Sequence, residues 1–159
     1  MAHIKNIPEQ GKVRFEWVGS KKPNLQITQS YGLCMHKGKV CIIKDEGDWT
    51  LLGGTVEEGE DPKDTLIREI WEEANLKTNE AELLGYQIAT HLDKPSPLFG
   101  NKHAQTRWLV HVTPKPLTKD PCTNTIWTRK FVELDELNNI LQWGDVLDTI
   151  IQKTKQKLG

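Results

Sequence analysis

Apolar Val13, Phe15 and Trp17 alternate with Arg14 and Glu16, a period of two that predicts a first strand. The run 19–24, Gly-Ser-Lys-Lys-Pro-Asn, reads as a loop. Two strands follow at 27–36 and 39–44, joined through Lys37-Gly38, a pair suited to a two-residue hairpin that would set Cys34 opposite Cys41. A polar turn at 45–48 leads to a short strand, 49–52, running into Gly53-Gly54.

The next element is a helix with a well-marked start. Asp61 suits the N-cap, Pro62 the first helical position, and Asp64 the positive end of the helix dipole. Leu66, Ile67, Ile70 and Ala74 form its apolar stripe, and Asn75 suits a left-handed stop. Strands are expected at 81–91 and 106–113, with a Pro- and Gly-bearing loop at 93–102 between them. After an irregular stretch, 114–124, come a last strand at 126–132 and two helices, 134–141 and 145 to the end. Helices interleaved with strands imply an α+β chain with a mixed sheet flanked by helices. One domain is expected over 1–159, with 1–24 as its N-terminal strand and loop and 142–159 as its C-terminal helix.

Composition narrows the function without naming it. The net charge of −1 gives no global field for a nucleic-acid duplex or an acidic membrane surface. No run approaches the ~18 apolar residues of a membrane span, and the first residues carry no signal-peptide core, so the cytoplasm is the expected location. Cys34, Cys41 and Cys122 lack Cys-x-x-Cys spacing and are odd in number, which argues for reduced thiols over a zinc site or disulfide scaffold. Arginine is scarce, only Arg14, Arg68, Arg107 and Arg129, and Arg68 stands in an acidic segment.

That segment carries the chemistry. At about 100° per residue, Glu69 and Glu73 lie about 40° apart on the helix and Glu72 about 60° to the other side, a wedge of roughly 100° opposite the apolar stripe. Like charges at these spacings repel, so a cation is needed to neutralise them. Clustered hard oxygens suit Mg²⁺ or Mn²⁺, which also bind substrate phosphates. A solvated acidic face is the plain alternative. Gly53-Gly54 immediately upstream, Glu60 just before the cap and Arg68 beside the wedge weigh against it.

The stretch from Gly54 through Glu60, Arg68-Glu69-Ile70-Trp71-Glu72-Glu73 to Asn75-Leu76 resembles the signature of the Nudix hydrolases, with six of its seven fixed residues at the right spacing. The departure is Asn75, where that family has glycine. If Asn75 serves only to end the helix, glycine there would be kinetically neutral. The resemblance implies an α/β/α sandwich with a central mixed β-sheet, and metal-dependent hydrolysis of a phosphoanhydride bond in a nucleoside diphosphate linked to another moiety. It implies Gly53, Glu69, Glu72 and Glu73 as ligands of Mg²⁺ or Mn²⁺, Arg68 as the residue orienting a glutamate, and Glu60 as support. Glu69 is the first choice as acceptor of the water's proton and Glu73 the second.

Outside the signature the chain says less. Many family members take a further carboxylate from the loop before the last strand. Here only Asp120 is acidic in that stretch, and it stands early for the part. Lys44 ends a strand before the Gly-Gly pair and is a candidate phosphate contact, with a solvated lysine as the alternative. Trp127 and Tyr86 are candidate base-stacking surfaces, or else core aromatics. The substrate is read as a small-molecule nucleoside diphosphate derivative, and a homodimer stays open. Two other readings stay open as well: a catalytically weak module of the same fold that binds nucleotide or a protein partner, and an isoprenoid diphosphate isomerase.

Overall fold

The computed structural model describes residues 2–44 and 46–159, so Asp45, the first residue of the expected polar turn, lies outside the described residues. The elements run β1 (Ala2–Ile7), β2 (Gly11–Gly19), β3 (Ile27–His36), β4 (Lys39–Lys44), β5 (Leu52–Thr55), α1 (Pro62–Ala74), β6 (Leu76–His91), β7 (Lys102–Pro114), β8 (Thr128–Val132), α2 (Leu134–Leu141) and α3 (Gly144–Leu158). The sheet order is β1-β2-β6-β7-β3-β4-β8, with β5 added on β3. Among the described residues only β3 and β7 pair in parallel, so the sheet is mixed.

Side-chain alternation along the central strands builds two cores, one on each face. Cys34, Cys41, Ile43, Leu52, Val110 and Val112 meet Leu66, Ile70 and Ala74 of α1. On the other face Leu33, Met35, Val40, Ile42 and Leu109 meet Leu134, Leu137 and Leu141 of α2 and Leu147 and Ile150 of α3. The expected α/β/α sandwich is thus present. Cys34 and Cys41 are buried free thiols on the α1 face, as the hairpin register requires, and Lys37 and Gly38 turn with φ of 50° and 77°.

Several boundaries differ from the expected ones. β1 was not foreseen: it is an edge strand whose Ile4 points outward, 55% exposed, so no buried periodicity marks it. The short strand expected at 49–52 begins instead at Leu52 and contains both glycines, with Gly53 opposite Tyr31 and Gly54 opposite Ser30. Gly53 has φ 150°, and a Cβ there would lie 2.1 Å from the Ser30 carbonyl oxygen, so no other residue fits. β6 starts at Leu76 rather than 81, because its polar opening residues are paired yet mostly exposed. α1 is bounded as expected: Asp61 Oδ1 accepts from the Lys63 amide at 2.9 Å, and Asn75 closes it at φ 51°, ψ 47°. Ile67, expected in the apolar stripe, is 38% exposed, while Thr65 is buried.

Candidate active site

The carboxylates of α1 face β5 and the loop that follows β7. Glu73 is 8% exposed, and its Oε1 accepts the Gly53 amide at 3.1 Å. Burial pushes its carboxyl up to about 8, and Glu69, Asp120 and Glu72 add repulsion against the opposing pull of that amide. Glu69 lies against Gly54, where a Cβ would sit 2.7 Å from the carboxyl carbon. Its pKa is also raised, by burial first, with Arg68 working against the shift.

Arg68 organises the cluster from the side. Its Nε and Nη2 donate to both oxygens of Glu60, at 2.8 and 3.0 Å, a two-pronged grip. Its Nη1 donates to Glu69 at 3.0 Å and to Glu72 at 3.3 Å. The Arg68 bond, with help from the Thr65 hydroxyl at 2.7 Å, pulls Glu60 down to about 2. Glu60 is therefore a fixed anion gripped by Arg68, which is the one cation also bonded to Glu69 and Glu72 among the described residues.

Asp120, set aside by its early position, belongs to this cluster. It is 3% exposed, and Glu72, Asp120 and Cys122 each bring a ligand atom within 4.8 Å of the others. Its Oδ1 accepts the Cys122 amide at 2.8 Å and its Oδ2 the Trp127 indole N–H at 2.9 Å. The Asp-Pro-Cys turn, in which an aspartate caps the amide two residues on, is the sequence signal that could have found it. Trp127, expected as a stacking surface, uses its polar edge to hold Asp120 while its ring packs on the α1-side core.

Asn75 also does more than end the helix. Its Oδ1 accepts the Thr118 amide at 2.7 Å and the Thr118 hydroxyl at 3.2 Å, so the expectation of a purely conformational residue is corrected.

The other two expected contacts, Lys44 and Tyr86, lie on β4 and β6. Lys44 places its Nζ 4.9 Å from the centre of the Trp49 ring, which Lys130 also covers, and forms no ion pair with the α1 glutamates. Tyr86 stands opposite Thr106, whose hydroxyl joins Ser30 and Trp108 on the α1 side of the sheet.

On the opposite face lies a cavity of about 160 Å³, lined by Tyr31, Arg107, Gln29, Gln87, Gln105 and Trp143 among others. It shares Gln29, Gln105, Phe15 and Ile7 with a neighbouring space of about 500 Å³ that reaches His91, His103 and Phe99. Gln87 donates to Gln105 at 3.2 Å and Gln105 to Gln29 at 2.6 Å. Arg107 is 4% exposed and pairs with no carboxylate among the described residues, where its Nε is buried without a partner. Burial lowers its pKa to about 10. Tyr31 links the two regions: its ring lies under Arg107 and against Gly53, and its hydroxyl pKa, raised by burial first, feels Glu73 and Glu69. Sequence reasoning missed this lining. The available signal was an arginine set directly before the apolar run Trp108-Leu109-Val110.

No helix among the described residues is long and apolar enough to cross a membrane. Among solved structures, the chain is similar to the pyrophosphohydrolase BsRppH of Bacillus subtilis, at 14% identity and a TM-score of 0.71, covering 98% of this chain and 97% of that one. It is similar to the Ap4A hydrolase of C. elegans at 17% identity and a TM-score of 0.55, covering 85% and 100%. A MutT NUDIX hydrolase from Burkholderia pseudomallei matches at 23% identity and a TM-score of 0.51, covering 69% and 85%. These likenesses bear on the fold. The family model of the NUDIX domain matches residues 28–153, most of the sequence and all of the α1 cluster. The chain therefore belongs to the NUDIX domain family, hydrolases that act on acid anhydrides.

Proposed function

We propose that this chain hydrolyses a phosphoanhydride bond in a nucleoside diphosphate linked to another group, with Mg²⁺ or Mn²⁺ as cofactor. The observation that carries the reading is the gathering of Glu69, Glu72 and Asp120 about the buried Glu73, whose carboxyl burial first, and then their repulsion, pushes up to about 8. Such a set of hard oxygens, short of counterions, fits a divalent cation. Gly53 through its carbonyl, with Glu69, Glu72 and Glu73, would hold it, and Asp120 adds a carboxylate beside Glu72. When bound, the ion supplies positive charge to the phosphate oxygens and acidifies water.

The chain's own groups do the rest. Glu69 accepts the proton of the attacking water, with Glu73 as the second choice, as an oxygen–phosphorus bond forms and the bridging anhydride bond breaks. Arg68 fixes the rotamers of Glu69 and Glu72, and Glu60 anchors Arg68. The linked organic group lies in the cavity of Tyr31, Arg107 and the three glutamines, whose free amide donors and unpartnered guanidinium N–H suit an acceptor-rich ligand.

The test is a release assay over dinucleoside polyphosphates, nucleotide sugars, ADP-ribose and nucleoside triphosphates, with Mg²⁺ and with Mn²⁺. Turnover that chelation abolishes is expected for at least one class. Tight binding across the panel without turnover would replace the hydrolase with a binding module.

Arg68→Lys keeps the charge but loses the two-pronged grip on Glu60. A fall in kcat of about 10-fold is expected, because a glutamate off its geometry forfeits part of the ~10²-fold worth of a positioned base. Wild-type kcat in that variant would reduce Arg68 to a counterion.

A further inference from the structure

We propose that Asn75 is a positioning residue whose side chain sets Asp120 against the α1 carboxylates by pinning the 115–127 loop. The inference rests on the functional reading above for its kinetic consequence, and on geometry alone for the coupling itself.

Besides the Cys122 thiol, which donates to Glu72 Oε2 at 3.6 Å, the end of α1 and this loop are tied at two places of different kind. The first uses backbone groups. The Asn75 carbonyl accepts the Lys115 amide at 2.9 Å, and Arg129 Nη1 donates to the carbonyls of Ala74 at 2.7 Å and Lys115 at 2.8 Å. A glycine at 75 would keep all three. The second tie belongs to the side chain. Oδ1 of Asn75, on a residue only 2% exposed, accepts both the amide and the hydroxyl of Thr118. A glycine would remove that acceptor from the part-buried Thr118 bonds and leave the amide to solvent.

Beyond Thr118 the loop folds on itself. The Asp120 amide donates to the Thr125 carbonyl at 2.7 Å and the Asn124 amide to the Asp120 carbonyl at 2.7 Å. The Asp120 side chain then collects the Cys122 amide and the Trp127 indole. Asp120 is held firmly within its own turn, but in the chain before it the side-chain anchor to α1 is Asn75. Asn75, two residues beyond Glu73, is the neutral side-chain acceptor that ties the chain before Asp120 to α1.

The left-handed conformation at 75 admits glycine at no steric cost, so Asn75→Gly separates the side chain from the helix stop. In metal-free protein, amide hydrogen exchange at Thr118, Asp120, Cys122 and Asn124 should speed up at least about 10-fold while α1 amides keep their protection. Mn²⁺ affinity, read by electron paramagnetic resonance, should weaken several-fold. On the substrate found above, kcat should fall about 10-fold with KM within about two-fold, because the substrate cavity is untouched. Asn75→Asp, which keeps an acceptor for Thr118 and tolerates positive φ, should restore slow exchange at the loop amides.

Unchanged exchange in the 115–127 loop of Asn75→Gly would overturn the proposal. So would faster exchange with wild-type Mn²⁺ affinity and wild-type kcat, since Asp120 would then not depend on the anchor. Should the wild-type protein hydrolyse nothing in the panel, the functional reading fails, while exchange and Mn²⁺ affinity still decide the coupling.

Discussion

Glu73→Gln should lower kcat by at least ~10²-fold, the scale of losing a metal-holding or proton-accepting carboxylate, and should raise the melting temperature of the metal-free protein at pH 8. Both effects follow from one burial. An unfolded glutamate titrates near ~4.3, whereas the folded Glu73 carboxyl is pushed up to about 8. The folded chain therefore holds a proton that the unfolded chain has released. Its stability from this group is fully present below the unfolded pKa and is lost as pH rises through the folded one. A few kcal/mol disappear across that window in the metal-free protein. Glutamine imitates the protonated carboxyl and keeps an oxygen for the Gly53 amide. It has nothing to titrate.

Thermal melts in chelator should thus show the variant above the wild type at pH 8, with the gap closing toward pH 5. Adding Mg²⁺ or Mn²⁺ should reverse the order by stabilising the wild type, most strongly at the higher pH. Identical melts at pH 8 with undiminished turnover would remove Glu73 from the site.

The acidic helix was legible in the sequence because its constraints are local. The cap at Asp61, the proline beside it, the 3.6-residue spacing of Leu66, Ile70 and Ala74, and the carboxylate wedge all belong to one 13-residue helix and its cap. The central strands were legible for a similar reason, since β3, β4 and β7 bury residues on both faces or alternate cleanly. What escaped depends on contacts made across long sequence separations. β1 is held by backbone pairing to β2 and carries no buried stripe. Asp120 reaches Glu72 where the loop, bonded to Asn75 and through Arg129 to the Ala74 carbonyl, returns along α1, and no spacing rule encodes that return. Tyr31, Arg107 and the glutamines come from three strands, β3, β6 and β7, whose order in the sheet is not their order in the chain. Lys44 looked well placed on the same linear logic, yet the strand delivers it to Trp49.

Arg107→Met should raise KM by at least ~10-fold, the cost of a lost charged hydrogen bond of ~1.5–3 kcal/mol, with kcat within a few-fold and with no loss of thermal stability. Arg107 is an unusual charge to bury. Its Nη1 donates to the Thr106 carbonyl at 3.0 Å and its Nη2 to Gln105 at 3.0 Å, the Tyr31 ring lies 5.2 Å away, and no carboxylate pairs with it. Replacing buried charges by hydrophobic residues of similar volume is neutral or stabilising by about 1–4 kcal/mol, and methionine matches the length of the arginine stem. Gln105 keeps Gln87 as a donor after the change, so the glutamine ladder survives. On the proposed reading, the buried Nε–H, which has no protein partner, is the donor that the ligand would meet. Steady-state kinetics beside thermal melts decide the matter. A variant that melts well below the wild type while KM stays unchanged would make Arg107 a structural strut between β7 and Tyr31, and would move the organic half of the substrate out of this cavity.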